Sequence, residues 1–141
     1  MPWAAGLRRV AKVLMIDCTV DSSTMVDLLR GRSDVTSVLQ PYAQIGLSHV
    51  AFGELLLGAL KSTNSTELAR TLTAVTGLTL LHGNEESAMI YAVIRRDLER
   101  NGTPIPHNDI WIAAAAIQFD VPLITRDHHF RQISHLQLVE Y

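Results

Sequence analysis

TPIPHNDIWIAAAAIQFDVPLITRDHHF, residues 103–130, is the stretch from which the architecture can be read. Pro104 and Pro106 punctuate a loop that runs into His107, Asn108 and Asp109. Asn108 or Asp109 is placed to cap a helix, since a side-chain oxygen there can accept from the free N–H groups of the first turn. Residues 110–119 are then expected as a nearly all-apolar helix. Ile112, Ala113, Ala116 and Ile117 share one face, while Ala114 and Ala115 keep the other side small enough to bury. Asp120 ends it, and residues 121–125 read as a short buried strand with Pro122 near its start. Arg126, Asp127, His128, His129 and Phe130 follow. Asp109 and Asp127 thus mark the ends of two elements that must pack together. In an open parallel sheet, ligands bind beyond the carboxyl ends of the strands.

Working outward, the chain alternates strand and helix patterns. Strands are expected at 12–20, 46–49, 78–81 and 136–139, the last an edge strand; helices at 24–30, 34–44, 50–60, 65–76 and 85–101. Gly31 and Gly102 stand where helix C-termini favour glycine. Pro41 conflicts with a continuous helix over 34–44. Such alternation predicts a parallel sheet with helices on both faces.

The 141 residues suffice for one domain with a substantial core. Residues 1–10 read as a disordered lead-in, and 11–141 as the domain. Two arginines before an apolar stretch imitate a signal peptide, but Asp17 breaks the run and no small-residue cleavage site follows. No run approaches transmembrane length. A single cysteine, Cys18, excludes an intrachain disulfide and fits a reducing cytoplasm. With a net charge of −2 the chain has no global attraction for nucleic acid, so phosphate binding requires a local basic patch or a bound metal.

Five acids lie where burial would be costly: Asp17 and Asp21 in or after the first strand, Glu54 alone in an apolar helix, and Asp109 and Asp127. Each alone is adequately read as a cap, an ion pair to one of ten arginines, or a turn residue. Gathered at one end of a sheet they would repel unless a divalent cation neutralised them, and oxygen-only ligands favour Mg²⁺ or Mn²⁺. Such a centre suits phosphodiester hydrolysis by a metal-activated water.

Four segments carry a resemblance: 20–31 (VDSSTMVDLLRG), 47–58 (LSHVAFGELLLG), 102–113 (GTPIPHNDIWIA) and 123–130 (LITRDHHF). In this order and spacing they resemble the PIN-domain ribonucleases, specifically the VapC-type toxins of toxin–antitoxin pairs. The resemblance covers nearly the whole chain. It implies a three-layer α/β/α sandwich with a central, mostly parallel sheet. It also implies divalent-metal-dependent endoribonuclease activity on RNA and inhibition by a cognate antitoxin, with an antitoxin arginine able to neutralise the acids. A homodimer and a cytoplasmic location follow by the same analogy. Asp21, Glu54, Asp109 and Asp127 fall on the family's acidic positions and are the expected catalytic and metal-binding residues, with Mg²⁺ as cofactor and Mn²⁺ as its substitute. Asp21 and Asp109 are expected to bind the ion directly, with the Ser22 or Thr125 hydroxyl holding a carboxylate. The family's strand usually runs apolar into its acid, and Met15-Ile16-Asp17 is the cleanest such junction here. The spacing from Asp21 to Gly31 favours Asp21, and Asp17 remains the rival.

Arg126 is a candidate phosphate contact, equally readable as an ion-pair arginine. Trp111 reads as core rather than a base-stacking platform, and Arg95, Arg96 and Arg100 as a solvated helix face. His128 and His129 read as solvated loop residues, since adjacent side chains diverge and nothing completes a zinc site. The leucines of 50–60 and 65–76 exceed what one small core needs, and together can form a groove for an amphipathic antitoxin helix. The competing readings are a nuclease acting on structured DNA and a non-catalytic domain whose acids only cap helices.

Overall fold

A computed structural model describes residues 15–141. The expected lead-in, 1–10, and the start of the expected first strand lie outside the described residues. Five short strands, all paired in parallel, form one sheet: β1 (Cys18–Val20), β2 (Ile45–Ser48), β3 (Thr79–Leu81), β4 (Leu123–Thr125) and β5 (Leu138–Glu140), in the order β3-β2-β1-β4-β5. The helices are α1 (Ser22–Leu29), α2 (Ser33–Leu39), α3 (His49–Lys61), α4 (Glu67–Val75), α5 (Glu85–Arg100) and α6 (His107–Gln118), and they make the three-layer α/β/α arrangement.

Among the described residues the first strand is shorter than expected. Met15 is exposed with φ 57°, and pairing starts only at Cys18. Apolar composition alone does not separate a strand from the buried turn that feeds it. The helix expected at 34–44 stops at Leu39: Gln40 still has helical dihedrals, but Pro41 after it has no N–H with which to continue the ladder. The central helix begins at His107, with extended Pro106 in the capping position. Asp109 therefore sits inside the first turn and is not the cap. Gly31 (φ 71°) and Gly102 (φ 68°) end α1 and α5 in the left-handed conformation that favours glycine.

Leu47, Leu123, Ile124, Ile112, Ala113 and Phe130 form the middle of the core, all at most 1% exposed. Burial pushes the Cys18 thiol up to about 12, so it is a packed, unreactive side chain. Trp111, partly buried, stacks on Tyr91 with ring centroids 4.0 Å apart, which joins α6 to α5. β1 and β4 are neighbours although about a hundred residues separate them, and the strand order reverses direction between them. That is the topological switch point at which open α/β sheets bind ligands.

Candidate active site

Asp21 leaves the carboxyl end of β1 and caps α1: its Oδ1 accepts from Thr24 N at 2.9 Å. Its Oδ2 accepts from the Thr125 hydroxyl at 2.6 Å, and the residue is only 2% exposed. Thr125 closes the neighbouring strand, and its Oγ1 accepts from Asp127 N at 3.0 Å. One hydroxyl thus fixes the acids of two strands. The first two residues of α1 point apart, as a helix requires of consecutive positions. Ser22 donates to Glu54 Oε1 at 3.1 Å, and Ser23 donates to Asp127 Oδ2 at 3.0 Å. α3 packs against both α1 and α6, which carries Glu54 between them. Asn108 Nδ2 reaches Glu54 Oε2 at 3.5 Å from the α6 side.

Asp109 completes the group. Its carboxyl is held above its ordinary value, chiefly by burial, with Glu54 and Asp127 adding repulsion and His129 opposing both. The four acids singled out in the sequence, Asp21, Glu54, Asp109 and Asp127, therefore meet at one end of the sheet. Asp17 does not join them. It lies before β1, exposed, and its Oδ2 accepts from Ala43 N (3.0 Å) and Gln44 N (2.8 Å), bracing the turn into β2.

Two residues at this end of the sheet were not anticipated. His129 is not a solvated loop residue: its Nε2 stands 2.6 Å from Asp109 Oδ2. The 3-10 turn His128–Gln132 buries Phe130 completely and so aims the preceding ring inward, while His128 turns out toward Glu140. Ser23 is the second, and its only signal in the sequence was its place at a helix start beside an acid.

The donors are carboxylate and hydroxyl oxygens, the chemistry of a hard divalent cation. Arg126, the nearest arginine in sequence, pairs elsewhere, with Asp27 Oδ1 at 3.1 Å. Among the described residues no three Asp, Glu, His or Cys side chains close tightly enough to grip an ion directly. The donor set fits a cation that keeps most of its waters, as Mg²⁺ does.

A family profile described as PIN domain matches residues 18–136. The chain is 29% identical over 124 residues to ribonuclease VapC1 of Haemophilus influenzae (strain R2866), spanning 84% of this chain and 92% of that one. It is 28% identical to ribonuclease VapC5 of Mycobacterium tuberculosis, spanning 86% and 90%. In three dimensions it resembles VapBC2 from Rickettsia felis, solved bound to a DNA fragment from their promoter, with TM-score 0.83, 22% identity and coverage of 89% of this chain and 99% of that one. It likewise resembles VapBC-1 from nontypeable Haemophilus influenzae, with TM-score 0.80, 24% identity and coverage of 89% and 98%.

Proposed function

The chain belongs to the PIN domain family, and from that premise we propose that it is an endoribonuclease, the toxin of a toxin–antitoxin pair, hydrolysing RNA phosphodiesters at Asp21, Glu54, Asp109 and Asp127. The observation that carries this reading is the meeting of those four acids, from four separate segments, at the switch point between β1 and β4. Nothing in a fold of this kind requires such repulsion; a centre built for a cation does.

Asp21 and Asp109 would hold Mg²⁺ or Mn²⁺, with Glu54 and Asp127 acting directly or through the ion's own waters. When bound, the ion supplies positive charge at the phosphate and lowers the pKa of water. The rest is done by the chain itself. Asp127, oriented by Ser23, takes the proton of the attacking water. Ser22 and Asn108 hold the Glu54 carboxylate from opposite sides, and Thr125 keeps Asp21 and Asp127 in a fixed relation.

Replacing Asp109 with Asn keeps the shape of the side chain and removes its charge. The variant is expected to fold, to lose RNA cleavage, and to lose the Mn²⁺-induced rise in melting temperature. Cleavage retained by pure D109N protein would sink the assignment. A non-catalytic reading draws on one observation, that the acids stop short of a closed metal cage; wild-type protein whose melting point ignores millimolar Mn²⁺ would favour it. Parallel assays on RNA and structured DNA separate the two nuclease readings.

The partner is an antitoxin. Leu57, Leu60 and Leu72 are 54%, 68% and 44% exposed on α3 and α4, and these leucines form the apolar face on which an antitoxin helix would lie. Among the described residues no helix is long and apolar enough to cross a membrane. A cytoplasmic homodimer with residues 11–141 as its domain completes the proposal.

A further inference from the structure

A groove of about 760 Å³ runs between α1, α3 and α4, and of the four acids Glu54 lines it. Ser22, Ser23 and Glu54 stand at its inner end; Arg30, Arg70 and Arg126 stand along its walls. The leucines assigned above to the antitoxin are not among its lining residues. Gly58 and Ala59 line it on the α3 side, and Val26, Leu29 and Leu55 make its apolar part.

Arg126 is held in this wall by a carboxylate that the proposed hydrolysis does not use. Asp27 is 1% exposed, and its Oδ1 lies 3.1 Å from Arg126 Nη1 and 3.5 Å from Arg32 Nη1. Asp27 Oδ2 accepts from the Tyr141 hydroxyl at 2.6 Å. Asp27 Oδ1 accepts no hydrogen bond, so Arg126 and Arg32 neutralise it by charge alone, and that attraction draws the Arg126 guanidinium to one part of the wall. Arg70 is also steadied, by Glu67 at 3.4 Å and by the Leu29 carbonyl. Arg30 follows the last residue of α1, is exposed, and makes no side-chain hydrogen bond or ion pair among the described residues. The eight residues of α1 span roughly 12 Å at 1.5 Å each. Arg30 thus stands about one helix length from the end of α1 that faces the acids. Glu54 and Glu67 also line the groove; Glu67 pairs with Arg70 and Asp27 with Arg126, which leaves Arg30 as the lining guanidinium with no carboxylate partner among the described residues.

We propose that this groove binds the sugar–phosphate backbone of single-stranded RNA beside the cleavage point, with Asp27-anchored Arg126 and Arg30 each holding a phosphate. The proposal rests on the ribonuclease reading. Planar guanidinium groups suit bidentate phosphate contacts and carry no base preference, so this track positions the strand without reading its sequence.

The test is fluorescence anisotropy with a short labelled single-stranded RNA and the full chain in EDTA, where cleavage is off. R30A and R126A should each weaken binding several-fold at moderate salt. Each should also lower the slope of log K against log salt by about 0.7, the share of one phosphate contact on a single strand. R96A, on the outer face of α5, should match wild type. R30A removes an exposed, unpartnered side chain and so does not endanger the fold. Wild-type affinity and slope in both R30A and R126A would overturn the proposal, give the groove to a protein partner and leave the ribonuclease reading standing. Wild-type protein that neither binds this RNA nor cleaves it with Mn²⁺ would remove both.

Discussion

His129 Nε2 stands 2.6 Å from Asp109 Oδ2, so the one imidazole at the acidic centre is engaged by one of its carboxylates. Asp109 is half-buried, with Glu54 and Asp127 repelling it. In the absence of a cation, His129 is the contact that relieves this repulsion. H129A should therefore lose about 1 kcal/mol of stability in EDTA, the usual worth of a part-exposed hydrogen bond. Excess Mn²⁺ should narrow the gap, because the ion takes over the neutralisation. Urea unfolding of both proteins, with and without Mn²⁺, measures it; an identical deficit under both conditions would contradict this account.

Acidity at Asp109 gives a second expectation. Burial raises its carboxyl above the ordinary 3.8, and His129 offsets only part of this. The native protein thus keeps this proton to a higher pH than the unfolded chain does. The group's stabilising contribution is complete below the unfolded value and fades as pH rises through the raised native one. Metal-free wild type should lose melting temperature relative to D109N as pH climbs from about 4, the region where carboxyls titrate. A difference between the two proteins that does not change with pH would exclude this.

Thr125 joins Asp21 to Asp127 through one hydroxyl. T125V preserves shape and loses both bonds, leaving a 2% exposed carboxylate short of a partner. The cost should be about 1–3 kcal/mol in urea unfolding, with a marked fall in cleavage rate. T125S should recover most of both. Full activity in T125V would show that the hydroxyl is dispensable.

Asp17 provides the contrast. It is an acid of the same strand segment, yet it braces the turn at Ala43 and Gln44. D17A should cost about 1 kcal/mol and leave the cleavage rate per folded molecule unchanged. Abolished cleavage in well-folded D17A protein would return Asp17 to the candidates.

The alternation of elements, and the positions of Asp21, Glu54, Asp109 and Asp127 at their ends, were legible from hydrophobic pattern and motif order. Spacing to Gly31 favoured Asp21 but left Asp17 as a rival, because both follow apolar residues; strand pairing shows that Asp21 lies at the carboxyl end of β1 and Asp17 before it. His129 was hidden by its neighbour. Two adjacent histidines diverge, and which one faces inward depends on the turn that buries Phe130. Asp109 looked like a cap because it precedes the apolar run; Pro106 begins the helix earlier and leaves Asp109 in the first turn, facing its fellow acids.

The placement of β4 against β1 has a consequence for biosynthesis. While a nascent chain emerges, Asp21, Glu54 and Asp109 all appear before the strand that must dock between β1 and β5. Until that strand arrives, one side of β1 lacks its pairing partner, and Thr125, Asp127 and His129 are missing from the centre. Such late, long-range closure is entropically slow. A partially translated chain therefore lacks part of the proposed centre until the middle of the sheet is sealed.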